Sequence, residues 1–250
     1  MKNSIGIVGG VGPVAGTLLH AFVNEAAVQA GARRDQEHPS VIHISHPAGI
    51  PDRTAFLNRD SEINPAEGAF AVASAIAALS SQFGRVVLGV PCNTFHAPAI
   101  WDRFTTLIQE QGLNVEPVNM IDATISDIAA NHPNVRRIGL MSTTGTRNSG
   151  IYRNPLTEKG LQVLEVEDQD ALHRTIYDPE FGIKAITPVS DQARSNFEGF
   201  AQELIDKGAE VLILGCTEIP LALPGSTFGT TPLVDPMRAL AQELVKRAGA

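Results

Sequence analysis

Short runs of Val, Ile and Leu alternate along the chain with longer stretches in which apolar residues recur at helical spacing. Such alternation is typical of parallel strands joined by helical crossovers, because each strand is then buried on both faces. We predict strands over 4–9, 40–45, 85–90, 136–141, 161–165, 210–214 and 231–234. We predict helices over 13–30, 64–81, 96–111, 120–131, 190–207 and 235–248, the first opened by a proline in its first turn. The pattern therefore predicts an α/β protein.

The segments around the two cysteines form a weak internal repeat. Arg85–Thr94 reads RVVLGVPCNT and Glu210–Glu218 reads EVLILGCTE, so that each apolar run leads to a cysteine followed by polar residues. The two cysteines are about 120 residues apart, close to the length of a small domain. We therefore predict two pseudo-symmetric lobes, each a mainly parallel sheet flanked by helices, with the active site in the cleft between them. Lobe 1 is predicted to comprise 1–112, with 228–250 returning to it, and lobe 2 to comprise 113–227.

Composition and charge restrict the possible partners. The 250 residues carry a net charge of -8 and 5% aromatic residues, and the 19 Lys and Arg are scattered along the chain. Such a surface repels phosphate backbones, so we expect no nucleic-acid partner. The longest apolar run, Ala69–Leu79, is shorter than the roughly 20 residues of a membrane span, so we expect no membrane partner. The N-terminus lacks the pattern of a signal peptide, which favours a cytoplasmic protein.

Two cysteines in a chain that lacks a secretion signal are expected to be free thiols. A free cysteine after a strand is most often an inert core residue. Here, however, Cys92 is followed by Asn and Thr, and Cys216 by Thr and Glu, which are side chains suited to capping a helix or binding a carboxylate. A thiol at a helix N-terminus has a lowered pKa and can act as a base near neutral pH.

A disulfide and a metal site are the two other interpretations of the cysteine pair. No oxidising compartment is indicated, and no CxxC or His-spaced cluster provides further metal ligands. His38, His43 and His46 are close in sequence, but on a strand His43 and His46 point to opposite faces. We expect no metal.

Six motifs occur in order along the chain: Gly9–Pro13, Pro51–Thr54, Cys92–His96, Ser142–Thr146, Phe181–Lys184 and Gly215–Glu218. Together they resemble the motifs of the cofactor-independent aspartate/glutamate racemase family, and the resemblance covers essentially the whole chain. Glutamate racemases of that family typically have a histidine where this chain has Glu218, and an Asp-Ser pair near the N-terminus where it has Gly-Gly. The chain therefore resembles the aspartate branch more closely.

The resemblance implies an enzyme that interconverts L- and D-aspartate, with Cys92 and Cys216 as the catalytic acid and base and with no cofactor. Racemisation removes the α-proton from one face of the substrate and returns a proton to the other, which requires two such groups. The substrate would be a small dicarboxylic amino acid, and glutamate remains possible. The candidate substrate-binding residues are Gly10, Arg53, Asn93, Thr94, Thr143, Lys184 and Thr217.

Two of these candidates have charged side chains with distinct expected roles. The planar guanidinium of Arg53 suits a bidentate contact with the distal carboxylate, although a surface arginine paired with Asp52 or Asp60 is the other interpretation. Lys184 matches a lysine that the family uses at the substrate site; otherwise it would be a solvated lysine at a helix end.

Other functions remain open. Residues 10–15 satisfy the G-x-G-x-x-A form of a dinucleotide fingerprint, but the acidic residue expected after the second strand is replaced by Ile44–Pro47. A related isomerase or decarboxylase acting on a small dicarboxylate, and a non-enzymatic dicarboxylate-binding module, are further alternatives. We also expect a homodimer.

Overall fold

The computed structural model of the protein describes residues 3–79, 82 and 84–249. The strands in chain order are β1 (Ser4–Gly9), β2 (Val41–Ser45), β3 (Val86–Gly89), β4 (Val115–Val118), β5 (Arg137–Ser142), β6 (Gln162–Glu165), β7 (Val211–Gly215), β8 (Thr227–Phe228) and β9 (Thr231–Val234). The helices are α1 (Pro13–Gln29), α2 (Arg53–Leu57), α3 (Pro65–Ala78), α4 (Pro98–Glu110), α5 (Met120–Asn131), α6 (Thr144–Ser149), α7 (Arg153–Glu158), α8 (Gln169–Tyr177), α9 (Asp191–Asp206), α10 (Ile219–Ala222) and α11 (Pro236–Ala248). Single 3₁₀ turns lie at Asp35–Glu37, Pro47–Gly49 and Asn93–His96. The predicted α/β class is confirmed.

The chain divides into two compact units. The first comprises Met1–Ala123 with Met237–Ala250, and the second comprises Thr124–Pro236. The sequence analysis predicted that the chain leaves the first lobe after residue 112 and returns to it at residue 228, which is earlier at both points. β4 pairs with β3, and β9 pairs with β7, so residues 113–123 stay with the first unit and residues 228–236 stay with the second.

Sheet A, in the first unit, has the strand order β2-β1-β3-β4, and all of its pairs are parallel. On one face Ile5 and Ile7 of β1 pack with α1 and α11, and on the other Val86 and Leu88 of β3 pack with α3 and α4. Burial on both faces explains why β1 and β3 are continuous apolar runs in the sequence.

Sheet B, in the second unit, has the order β6-β5-β7-β9-β8, in which only β8 is antiparallel to its neighbour. If β8 is left out and the strands of each unit are counted in chain order, both sheets have the same strand order, 2-1-3-4. This shared order accompanies the repeat found around the cysteines, because Cys92 follows the third strand of sheet A and Cys216 follows the third strand of sheet B.

Several short elements were not predicted. The strands β4 and β8 and the helices α2, α6, α7, α8 and α10 are short or polar. For example, α8 begins where the Asp168 carboxylate accepts a hydrogen bond from the Ala171 N–H at 2.8 Å, and it buries only one stripe that includes Leu172 and Ile176. The helix predicted over 96–111 begins at Pro98 because residues 93–96 form their own 3₁₀ turn. Of the helix predicted over 64–81, residues 80 and 81 lie outside the described residues.

No helix within the described part of the chain has the length and apolar character needed to cross a membrane.

Candidate active site

Cys92 lies beyond the carboxyl end of β3, an inner strand of sheet A. Its side chain is buried, with 7% of the residue exposed. The Cys92 N–H donates to the Val90 carbonyl at 2.9 Å, and the Cys92 carbonyl accepts from the Phe95 N–H at 3.2 Å. The chain therefore turns directly at the thiol, and the strand and the 3₁₀ turn together fix its position.

His96 supports this turn from behind. Its Nδ1 lies 2.9 Å from the Cys92 carbonyl oxygen, and its ring lies 4.5 Å from that of Trp101, centre to centre. Burial lowers the pKa of His96 to about 4, against the opposing effect of its hydrogen bonds to the backbone of Cys92, Val118 and Asn93. His96 is thus a neutral, rigid support at neutral pH, and the sequence analysis assigned it no role of its own.

The remaining candidates of the first unit also follow strands of sheet A. Asn93 and Thr94 are buried in the turn after Cys92. Gly10 follows β1, with φ at 97°, and a side chain there would begin 2.6 Å from the backbone nitrogen of Pro47. Because the strands are parallel, their carboxyl ends meet at one edge of the sheet, so Gly10, Asn93 and Thr94 lie at the same edge as Cys92.

Arg53 is the first residue of α2, which packs against the 3₁₀ turn after Cys92. Arg53 is half-buried as a residue, and its Nη1 donates to the Pro51 carbonyl at 3.3 Å. The Asp52 carboxylate caps α2 by accepting from the Ala55 N–H at 2.7 Å. The structure thus brings Arg53 to the region of the first thiol.

Cys216 directly follows β7, an inner strand of sheet B, and only 5% of the residue is exposed. In the register of the sheet, Ser142 of β5 is paired with Gly215 of β7. The next residues, Thr143 and Cys216, therefore leave neighbouring strands at the same level. Thr143 also caps α6, because its hydroxyl oxygen accepts from the Thr146 N–H at 3.2 Å.

Glu218 connects Cys216 to Lys184. The Lys184 Nζ donates to Glu218 Oε1 at 2.6 Å. The Thr217 hydroxyl donates to Glu218 Oε2 at 2.9 Å, and the Cys216 thiol donates to the same oxygen at 3.3 Å. This carboxylate is 6% exposed, so it is a buried charge with three donors, one of them a cation.

The charges in this network set the protonation states. Burial would raise the pKa of Glu218, but the Lys184 ammonium and the three hydrogen bonds hold it below its ordinary value. Burial alone would lower the pKa of Lys184, and the adjacent Cys216 and Glu218 reverse this and raise it. The pKa of Cys216 is raised by burial and by the Glu218 charge, which together outweigh the effect of Lys184. At neutral pH the network therefore contains a thiol, a carboxylate and an ammonium.

The expectation that a helix dipole lowers the pKa of the thiol is wrong for Cys216. The helix that follows, α10, has only four residues, and Glu218 lies between it and the thiol. A neighbouring carboxylate and the loss of water act more strongly than one helical turn.

Lys184 reaches this network from a loop that folds back on α8. The Ile183 and Lys184 N–H groups donate to the carbonyls of Thr175 and Ile176 at 3.1 Å each. A side chain at Gly182 would begin 2.5 Å from the Asp178 carbonyl oxygen, so a glycine is needed for this approach. The Lys184 ammonium also lies 5.7 Å from the centre of the Tyr177 ring. The interpretation as a solvated helix-end lysine is therefore wrong.

Sequence reasoning noted Glu218 as a polar residue after Cys216 and used it to compare branches of a family, but did not place it among the site residues. The one available signal was an acidic residue two positions after a cysteine. Tyr177 gave no signal. Among the residues that the structure describes, no group of three or more His, Cys, Asp or Glu side chains could hold a metal ion.

The two units define an α/β protein in which each sheet has a buried cysteine after the carboxyl end of one of its inner strands. A family model described as Asp/Glu/Hydantoin racemase matches residues 8–244. The chain belongs to this family.

Solved structures agree with this assignment. An aspartate racemase from Picrophilus torridus is 28% identical, with a TM-score of 0.77 over 99% of this chain and 95% of that one. An aspartate racemase homologue from Pyrococcus horikoshii is 23% identical, with a TM-score of 0.65 over the whole of both chains. A glutamate racemase from Francisella tularensis, solved with D-glutamate, is 16% identical, with a TM-score of 0.63 over 98% of this chain and 80% of that one. The latter two similarities concern the fold alone. The family and the first similarity together support racemase activity.

Proposed function

We propose that the protein interconverts L- and D-aspartate without a cofactor, by proton transfer that uses the thiols of Cys92 and Cys216. The observation that carries the proposal is the Cys216–Glu218–Lys184 network, with its Sγ to Oε2 distance of 3.3 Å and Nζ to Oε1 distance of 2.6 Å. An inert core cysteine needs neither a buried carboxylate nor a buried cation beside it.

Glu218 offers a route by which a buried thiol can act as a base. The raised pKa of Cys216 describes loss of its proton to water, which would add a charge to a buried site. Transfer of that proton to Glu218 instead leaves the total charge of the network unchanged, and Lys184 remains beside both groups. The thiolate then accepts the α-proton of the substrate, while the Cys92 thiol donates its proton to the opposite face of the α-carbon.

The reverse direction uses the same groups with exchanged roles. Cys216 is then the acid, and its resting state as a neutral thiol already suits that step. The thiolate formed by donation is adjacent to the Lys184 ammonium, which compensates the new charge. The mechanism requires the two thiols to approach opposite faces of the substrate.

Aspartate is the proposed substrate because Arg53 lies in the helix that packs on the Cys92 turn and can hold a distal carboxylate. Gly10, Asn93, Thr94, Thr143 and Thr217 are the proposed hydrogen-bond partners of the α-carboxylate and the α-amino group. If the charge pair with the distal carboxylate is desolvated, Arg53→Ala is expected to weaken transition-state binding by on the order of 2 to 5 kcal/mol. This loss is measured as a lower kcat/KM for aspartate. Arg59→Ala, in an exposed arginine just after the same helix, is the matched control and should leave kcat/KM unchanged.

The experiment that tests the proposal incubates the purified, reduced protein with L-aspartate and a chelator, without pyridoxal phosphate, and follows D-aspartate by chiral chromatography. L-Glutamate and L-alanine are assayed in parallel, and alanine should be a poor substrate because it lacks the distal carboxylate. Activity that depends on added pyridoxal phosphate or metal would contradict the mechanism. Faster turnover of glutamate than of aspartate would contradict the substrate assignment.

A further inference from the structure

Helix α8 holds the turn that follows β5. The Gln169 side-chain amide donates to the Ser142 carbonyl at 2.9 Å, and the Thr144 N–H donates to His173 Nδ1 at 3.2 Å. These two bonds engage the peptide groups before and after Thr143. Because a peptide group is planar, fixing both of them fixes the backbone at Thr143, with φ at -66° and ψ at 158°. The directions open to the Thr143 side chain are thereby restricted.

The same face of α8 also contacts Lys184. Gln169, His173 and Tyr177 are spaced four residues apart, so they lie above one another on one side of the helix. The rings of His173 and Tyr177 are 4.8 Å apart, centre to centre, and are inclined by 31°. The Lys184 ammonium lies over the Tyr177 ring at 5.7 Å. One face of one helix therefore supports both the Thr143 turn and Lys184.

Another face of α8 is anchored in the core of the second unit. Leu172 and Ile176 are fully buried there, and the Thr175 hydroxyl accepts a hydrogen bond from the Asn196 amide of α9 at 3.1 Å. A helix in a close-packed core has few alternative positions. Gln169 and His173 therefore extend from a fixed helix, which can position the turn rather than follow it.

The hydrogen bond from Thr144 determines the protonation of His173. Thr144 is the first residue of α6, and the first N–H groups of a helix have no acceptor within that helix. Here the acceptor is His173 Nδ1. A ring nitrogen that accepts a hydrogen bond has no proton, so the neutral imidazole has its proton on Nε2. A protonated His173 would have N–H groups at both nitrogens and could not accept this bond.

We propose that His173, as the neutral Nε2–H tautomer, is a positioning residue that holds Thr143 in the orientation needed to bind substrate. The inference rests on the proposed function, in which Thr143 is a hydrogen-bond partner of the α-carboxylate or the α-amino group. Loss of the bond to His173 would leave the Thr144 N–H without this acceptor, so the turn could adopt other orientations. A binding group that is free to turn away stabilises the transition state less.

Two substitutions of the half-buried His173 separate the hydrogen bond from the ring. His173→Asn retains an acceptor, because the amide oxygen can take the place of Nδ1, but it removes the ring beside Tyr177. His173→Phe retains a ring and removes the acceptor. We expect kcat/KM for aspartate to fall about tenfold in His173→Phe and to stay within about threefold of the wild type in His173→Asn. A role in packing alone predicts the opposite order, and that order would overturn the inference.

His132→Phe is the matched control. His132 is also half-buried in the second unit, but it precedes β5 and so lies at the opposite end of sheet B from Cys216. Its substitution should leave kcat/KM unchanged. Circular dichroism checks the folding of all three variants.

Two NMR measurements test the hold on the turn without substrate. Labelled imidazole nitrogens should show His173 with its proton on Nε2 at neutral pH. The Thr144 amide should exchange slowly in the wild type and in His173→Asn, and about tenfold faster in His173→Phe. A proton on Nδ1, or equal exchange of Thr144 in the two variants, would overturn the inference. A wild type that does not racemise aspartate would instead contradict the proposed function, because neither NMR measurement depends on activity.

Discussion

Replacing Lys184 by methionine should destabilise the protein in a way that depends on pH. The substitution keeps most of the side-chain volume but leaves Glu218, which is 6% exposed, without its cation. At the observed 2.6 Å, the Coulomb attraction is about 6 kcal/mol for an effective dielectric constant of 20. Part of this is offset by the cost of burying the ammonium, and removal of one partner from a buried pair typically costs about 3 to 5 kcal/mol. Because the Lys184 side chain is 20% exposed, we expect a loss of about 3 kcal/mol.

The sign of the pH dependence follows from the carboxylate. In the wild type the pKa of Glu218 is lowered in the folded state, so the stabilisation is present above the unfolded pKa and is lost as the pH falls through the folded value. In the variant the same carboxylate is buried without a cation, so its pKa rises and protonation relieves the penalty. The difference in unfolding free energy between wild type and variant should therefore be largest near pH 8 and smaller near pH 5.

Lys207→Met is the matched control. Lys207 also pairs with two carboxylates, Glu203 at 2.7 Å and Glu167 at 3.6 Å, but these are 31% and 84% exposed. Such a pair contributes less than about 1 kcal/mol. Urea unfolding followed by circular dichroism at pH 8 and pH 5 measures both variants. Equal losses in the two variants, or a loss from Lys184→Met that does not change with pH, would refute the reasoning.

The Cys216–Glu218–Lys184 network and the buried His96 beside the Cys92 turn give two further predictions. Glu218→Gln removes the negative charge that, together with burial, raises the pKa of Cys216. Iodoacetamide should therefore alkylate Cys216 faster at pH 7, while racemisation falls. Alkylation at the wild-type rate would contradict the electrostatic account. His96 has a pKa lowered to about 4 in the folded state, so its contribution to stability is lost as the pH falls from about 6.5 to 4, by roughly 3 kcal/mol. His96→Asn should reduce the acid destabilisation measured by urea titration over this interval, and an unchanged slope would show that His96 is not buried in its neutral form.

The strands that carry the two thiols could be predicted from sequence because their signal is local. β3 and β7 are buried on both faces, so each is a short, continuous apolar run that ends at a cysteine. β4 was missed because Glu116 and Pro117 interrupt its run, and the strand is defined by pairing with β3 rather than by its own residues. The boundary predicted at residue 112 was therefore too early.

The charge network could not be predicted because it depends on contacts between distant parts of the chain. Lys184 reaches Glu218 only because the loop after α8 folds back on that helix, a contact that Gly182 permits. Helix-dipole reasoning gave the wrong direction for the pKa of Cys216, because a sequence does not show that a thiol loses its water and gains a carboxylate neighbour at 3.3 Å. The sequence motif Gly215–Glu218 therefore predicted where the thiol lies in the fold, but not its protonation state.

The central claim is that Cys92 and Cys216 act on opposite faces of the α-carbon, and deuterium exchange tests it most directly. Cys92→Ser and Cys216→Ser should each abolish racemisation, because a serine hydroxyl has too high a pKa to replace a thiolate as base. In heavy water, NMR should show that each variant exchanges the α-proton of only one aspartate enantiomer, and that the two variants exchange opposite enantiomers. Exchange of the same enantiomer by both variants, or racemisation at the wild-type rate by either one, would contradict the two-thiol mechanism.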